Sequence, residues 1–137
     1  LASRSSDGVT VIDDSYNANP GSVRAAIDTL ADCGGRRTLL LGAMRELGAD
    51  SEALHRKIGE YARTAGLDQL WGVGPELREC VAAFGAGGRF FSDRAAAQAA
   101  LAGAFDGADT VLVKGSRSAG MEQLSQALLA DRAVGEG

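Results

Sequence analysis

Hydrophobic positions along this 137-residue chain follow two alternating spacings. Short apolar runs have the length and composition of strands: "GVTVIDD" (8–14), "RTLLLG" (37–42), "QLWGVG" (69–74), "RFF" (89–91) and "DTVLVKG" (109–115). Between them, apolar residues recur every three or four positions and mark one face of a helix. Val23, Ala26, Ile27 and Leu30 form the first such face. Asn19 suits its N-cap, Pro20 its first helical position, and Gly34 and Gly35 its end. A second helix opens near Asp50 and Ser51, turns Leu54, Ile58, Tyr61, Ala62 and Ala65 inward, and stops at Gly66. Pro75 starts a short helix carrying Leu77, Val81 and Phe84, and Asp93 caps an Ala-rich helix reaching about Phe105. A last helix, with Met121, Leu124 and Leu128 inward, runs to about Asp131.

Strands that alternate with helices predict βα units. The expected fold class is α/β: a three-layer αβα sandwich around a mainly parallel sheet of about five to six strands. Residues 1–6 read as the end of an edge strand pairing antiparallel with 8–13 through the "SSDG" turn. Residues 1–132 form one domain, and the final "AVGEG" (133–137) reads as a frayed tail. The chain opens on Leu1, already within an extended segment, and is read as a piece of a longer protein.

Composition narrows the partners. A net charge of -4 and an isoelectric point near 4.9 argue against nucleic acid or an anionic membrane surface. Cys33 and Cys80 stand alone, without the clustering that zinc requires, and fit a reducing compartment. Neither a signal peptide nor a run of membrane-spanning length is present in the sequence.

Ligands bind at the carboxyl ends of strands in open α/β sheets, so the segments after the strands are where chemistry is sought. After the first strand comes "DDSYNANP". A polar turn needs about two hydrogen-bonding side chains; this one offers five, Asp13, Asp14, Tyr16, Asn17 and Asn19. A carboxylate at a strand end suits ribose hydroxyls. The alternative is that Asp14 and Asn17 satisfy turn amides while Asn19 caps the helix. After the last strand, "KGSRSAG" places Ser116, Arg117 and Ser118 at a helix start, where free amides attract anions and Arg117 can pair with a carboxylate. It reads equally as a capping Ser beside a solvated Arg. No GxxxxGK[ST] phosphate loop occurs in the chain. Within "GAMRELG" (42–48), Glu46 can receive an amine but also fits an ordinary loop acid. His55, the single His, has no partner for a catalytic dyad and reads as a packing or surface residue.

"DDSYNANPGSVRAAID" (13–28), "LLLGAMRELG" (39–48) with a later His and "IG", and "LVKGSRSAGME" (112–122) together resemble the C-terminal domain of the Mur ligases, across nearly the whole chain and in order. The "YNANP" form resembles the member that adds D-Ala-D-Ala to UDP-MurNAc-tripeptide. The resemblance implies a Rossmann-like domain of a cytoplasmic, ATP-dependent ligase of peptidoglycan synthesis. Its own N-terminal and central domains would hold the UDP-sugar, and ATP with Mg²⁺, respectively. It implies that Asp14 meets the ATP ribose and that Tyr16 and Asn17 lie on the ATP side. Asn19, Ser116, Arg117 and Ser118 would then line the amino-substrate pocket, with Met121 as an apolar wall. No residue of this domain would be catalytic by itself or bind a metal, and no membrane insertion or nucleic-acid contact is expected. One departure stands out: the family commonly has an acid where this chain has Ala43, which puts a role for that loop in amine or Mg²⁺ binding in doubt. Two alternatives remain at this point: another Mur or folylpolyglutamate-type ligase domain, and a stand-alone Rossmann-like nucleotide-binding or interaction module.

Overall fold

Each apolar run becomes an element close to the bounds its spacing predicts. The computed structural model describes residues 2–4 and 8–136, with side chains described for 8–130. The strands are β1 (Ala2–Arg4), β2 (Thr10–Asp14), β3 (Arg36–Leu41), β4 (Gln69–Val73), β5 (Gly88–Phe91) and β6 (Asp109–Lys114). The helices are α1 (Pro20–Ala31), α2 (Ser51–Thr64), α3 (Arg78–Phe84), α4 (Arg94–Ala100) and α5 (Glu122–Glu136).

The strands form one sheet in the order β1-β2-β6-β3-β4-β5. β2, β6, β3, β4 and β5 are parallel. β1 pairs antiparallel with β2 through Ala2↔Ile12, Ser3↔Val11 and Arg4↔Thr10. The other residues of the "SSDG" turn expected between them, 5–7, lie outside the described residues. Alternation along each strand sorts the core into two layers. Leu39, Leu41, Leu70 and Leu112 pack with α1, α2 and α3, whereas Leu40, Trp71, Val111 and Val113 pack with α4 and α5. This is the three-layer αβα arrangement.

Local differences from the sequence reading have physical causes. Pro75–Leu77 forms a 3₁₀ turn that leads into α3. α4 ends at Ala100, and its expected continuation to Phe105 is broken into turns, with Gly103 at a φ of 72°. α5 continues to Glu136, so helical backbone takes up most of the expected tail. In α2 the expected inward residues Ile58 and Ala62 are buried, and Tyr61 and Ala65 pack against the same core, but at the start of the helix His55 is fully buried and Leu54 only half-buried. A buried imidazole is tolerated there because both ring nitrogens are hydrogen-bonded.

At the edge of the sheet remote from the strand carboxyl ends, Arg36 clasps Asp109 (Nη2–Oδ2 3.0 Å) and the Arg37 backbone N–H donates to Asp68 Oδ2 at 2.8 Å. That N–H bond, assisted by the Arg37 guanidinium, holds the Asp68 carboxyl below its ordinary value. α2 and α3 approach through Gly59, where a Cβ would lie 2.1 Å from the Cys80 carbonyl oxygen.

Two outcomes are expected. Gly59→Ala forces α2 away from α3 and lowers stability by about 1–3 kcal/mol in chemical denaturation. Because the Asp68 carboxyl is depressed on folding, its contribution is present above the unfolded carboxylate value, about 3.9, and is lost as pH falls through the lower folded value. Asp68→Asn should therefore flatten the acid limb of the stability–pH curve below about pH 4; an unchanged limb would contradict the assignment.

Candidate functional site

β6 is where the sheet changes direction. Its outgoing connection leads to α5 on one face, while those of its neighbours β2 and β3 lead to α1 and α2 on the other. Diverging connections open a crevice at the strand carboxyl ends, the place where ligands bind in such sheets.

The floor of this crevice is set by close backbone approach. The Gly42 N–H donates to Lys114 O at 2.8 Å and the Ser116 N–H to Ala43 O at 3.0 Å. A Cβ on Gly115 would lie 3.2 Å from Gly42 Cα and 2.6 Å from Met121 Cγ, and one on Gly42 2.8 Å from that same Cγ. Met121 fills the space that both glycines vacate and is fully buried. The apolar wall expected of it thus lies in the core beneath the crevice, packed with Val113 and Leu124.

The loop after β2 is built by its own side chains. Asp13 Oδ1 accepts the Ser15 N–H at 3.0 Å and also the Ser15 hydroxyl. Asn17 Oδ1 accepts the Ala18 N–H at 3.0 Å. Asn19 and Ser22 form a reciprocal capping box: the Ser22 N–H donates to Asn19 Oδ1 at 2.9 Å and the Asn19 N–H to Ser22 Oγ at 3.0 Å. Asn19 is therefore occupied as the helix cap. From β6, the buried Lys114 ammonium reaches Asp14 Oδ2 at 3.1 Å and Asn17 O at 2.8 Å.

Two clefts meet at this loop. One, of about 530 Å³, lies between β2, β6 and α1 over Ile12 and Leu112, with Asp14, Tyr16, Asn17 and Lys114 at its rim. The other, of about 340 Å³, is lined by Asp13, Asp14, Ser15, Tyr16, Arg117 and Glu122. Asp14 and Tyr16 belong to both. Tyr16 is 69% exposed, and the Arg117 guanidinium carbon lies 4.8 Å from its ring centroid. An apolar floor under a carboxylate suits a flat base carrying a hydroxylated sugar. A cleft lined by Arg117 as well as by Asp13 and Glu122 suits a group bearing both charges.

The segment 116–119 differs from the helix start expected for it. It is a 3₁₀ turn over Arg117–Ala119, closed by Gly120 at a φ of 66°, and α5 begins only at Glu122. The Ser116 amide is already bonded to Ala43, and Glu122 brings negative charge to the first turn of α5, so neither adds to the attraction for an anion. Ser116 is 5% exposed, its hydroxyl 3.3 Å from that of Ser118, which accepts from Arg45 Nε at 2.9 Å. Arg117 and Ser118 are exposed.

Ala43 is buried among Met44, Ile58 and neighbouring core residues, so an acid there would enter an apolar layer. Glu46 has a φ of 61°, uncommon outside glycine. Behind this loop, His55 Nε2 accepts the Met44 N–H at 3.1 Å, and Nδ1, which must then carry the proton, donates to Ser51 O at 2.8 Å. Lys114, His55 and Arg45 were not among the expected site residues. A Lys directly after the apolar run Val111–Val113 was the one visible signal. Among the described residues, no group of three or more His, Cys, Asp or Glu is placed to hold a metal ion. Nor is any described helix long and apolar enough to cross a membrane.

A Rossmann-like sheet with paired clefts at its switch strand has the form of a ligand-binding domain. A family model described as "Mur ligase, glutamate ligase domain" matches residues 2–117, and the chain belongs to the Mur ligase family. It is 46% identical to the UDP-N-acetylmuramoyl-tripeptide–D-alanyl-D-alanine ligase of Escherichia coli (strain K12) over 86% of this chain and 26% of that protein. Among solved structures it is similar to MurF from Acinetobacter baumannii, with a TM-score of 0.85 and 28% identity over 95% of this chain and 29% of that one. It is likewise similar to MurF ligase from Thermotoga maritima in complex with ADP, with a TM-score of 0.81 and 26% identity over 96% of this chain and 30% of that one. The chain thus spans less than a third of the length of each of these three relatives.

His55→Leu should leave the Met44 N–H and Ser51 carbonyl without their partner. Stability is expected to fall by about 1–3 kcal/mol in denaturant, with faster hydrogen exchange at Met44; unchanged exchange there would show that the imidazole does not hold the loop.

Proposed function

We propose that the chain is the C-terminal domain of an ATP-dependent ligase that joins D-Ala-D-Ala to UDP-MurNAc-tripeptide during cytoplasmic synthesis of peptidoglycan precursors. The identity to the E. coli ligase and the likeness to MurF structures support this reading. The observation that carries it at the level of residues is the Arg117–Tyr16 stack, which joins the turn after β6 to the loop after β2 at Tyr16, a residue that lines both clefts.

In this reading, Asp14, Tyr16 and Asn17 meet ATP, with the Asp14 carboxylate accepting from ribose hydroxyls. Arg117 pairs with the D-Ala-D-Ala carboxylate, with Ser116, Ser118 and Asn19 near that pocket; Met121 supports it from below. ATP and Mg²⁺ are held mainly by a separate central domain, and the UDP-sugar by an N-terminal one. ATP transfers its terminal phosphoryl group to the tripeptide carboxylate, releasing ADP. The D-Ala-D-Ala amine then attacks the acyl carbon through a tetrahedral intermediate, loses a proton and expels phosphate as the amide forms. This domain contributes position rather than bond chemistry. Orienting an amine against an acyl phosphate is worth about 7–11 kcal/mol in well-aligned systems, and closure over the intermediate excludes water.

The test uses the full-length protein containing this chain. Phosphate release from ATP with UDP-MurNAc-tripeptide should require D-Ala-D-Ala and should not occur with glutamate, D-Glu or no acceptor, and the 137-residue chain alone should give none. Release driven by glutamate or D-Glu would move the specificity to another ligase of this family. Release in the absence of any acceptor would contradict the proposed positioning of the amine.

A further inference from the structure

Lys114 ends the central strand, every residue of which is buried, and it is itself only 2% exposed. Its side chain has the parity of Leu112, so it points to the α1 face, beneath the loop that follows β2. An ammonium has three N–H donors, and three acceptors surround this one. They are Asn17 O at 2.8 Å, Asp14 Oδ2 at 3.1 Å and Asp14 O at 3.5 Å. Two are backbone carbonyls at the beginning and end of the Asp14–Asn17 loop. The third belongs to a carboxylate that is still 49% exposed on the cleft wall.

The loop's other hydrogen bonds are local: Ser15 to Asp13, and Ala18 to Asn17. Among the described residues, Lys114 is the only side chain from another strand or helix that donates to it. The Arg117–Tyr16 contact is a stack at the exposed rim. The loop's shape therefore depends on a charge delivered from a strand far along the chain.

We infer that Lys114 is a positioning residue of the ligand site: its ammonium pins the Asp14–Asn17 loop and presents Asp14, Tyr16 and Asn17 to the nucleotide. This deepens the proposed function and rests on its placing the nucleotide at that loop. A purely structural Lys is the competing account. The geometry separates the two, because the half-exposed Asp14 can be solvated by water once the ammonium is gone. Removing the charge then releases the loop without leaving a buried, unpaired carboxylate.

The experiment compares wild type, Lys114→Met, Asp14→Asn and the double variant in the full-length protein, by hydrogen exchange and by steady-state kinetics. Lys114→Met should keep its thermal midpoint within a few degrees. Exchange across residues 15–18 should accelerate about tenfold or more, with little change in α1. The KM for ATP should rise about tenfold while kcat changes less than about threefold, and Asp14→Asn should cost less on the Lys114→Met background than in wild type, since the loop that presents Asp14 is already released. Unaltered exchange in the loop, an unaltered KM for ATP, or fully multiplicative effects of the two substitutions would each overturn the inference. If Lys114→Met does not fold, Lys114→Gln, which retains N–H donors, takes its place; failure of both to fold makes Lys114 a structural residue and also overturns it. If wild type gives no D-Ala-D-Ala-dependent phosphate release, the proposed function fails by itself, and loop exchange still decides whether Lys114 pins the loop.

Discussion

The structure depends on β6 pairing along both of its edges. Its register runs Thr10↔Thr110 to Asp14↔Lys114 against β2, and Arg36↔Asp109 to Leu41↔Lys114 against β3. A strand buried on both faces must alternate correctly toward two different helical layers. Leu112 serves the α1 layer, and Val111 and Val113 the α5 layer. A slip of one residue would exchange these sets and put Val113 where Lys114 now meets the loop. The same register that packs the core therefore delivers the ammonium to Asp14. These two residues are separated by 100 positions, so the crevice forms only when the last strand has inserted between two earlier ones, a non-local pairing with an entropic cost.

The polar groups at the strand ends divide into builders and presenters. Asp13, Asn19 and the backbone amide of Ser116 are taken up by the protein itself. The side chains of Tyr16 and Arg117, and half of the Asp14 carboxylate, remain toward solvent. A polar-rich segment in a strand-end loop is thus not a list of ligand contacts. Most of its hydrogen-bonding capacity goes to holding a short irregular backbone without secondary-structure partners. The Gly42–Gly115–Met121 contact plays the corresponding role in the apolar layer, bringing the ends of β3 and β6 close enough to share a floor.

The elements were legible from the chain because their causes are local. Periodicity placed the five parallel strands, and caps placed α1 at Asn19 and α4 at Asp93. Motif order carried the family, and the domain match agrees with it. Errors fell where a neighbour overrode local preference. Leu54, expected inward, stays half-buried, while His55 beside it is buried with partners from Met44 and Ser51 in the adjoining loop and helix start. The helix expected at Ser116 became a 3₁₀ turn because Gly120 reverses the backbone and Ala43 claims an amide.

By itself, then, the sequence determined which segments are strands and helices, which faces turn inward, and which loops gather polar residues at the strand carboxyl ends, since spacing and turn residues act within a few positions of one another. Only the tertiary structure decided which residues of those loops remain available. It buried Met121, committed Asn19 to its helix, stacked Arg117 on Tyr16 and set Lys114 beneath Asp14. Each of these outcomes depends on strand order and close approach, and the insertion of β6 between β2 and β3 is a property of the assembled sheet that no local spacing records.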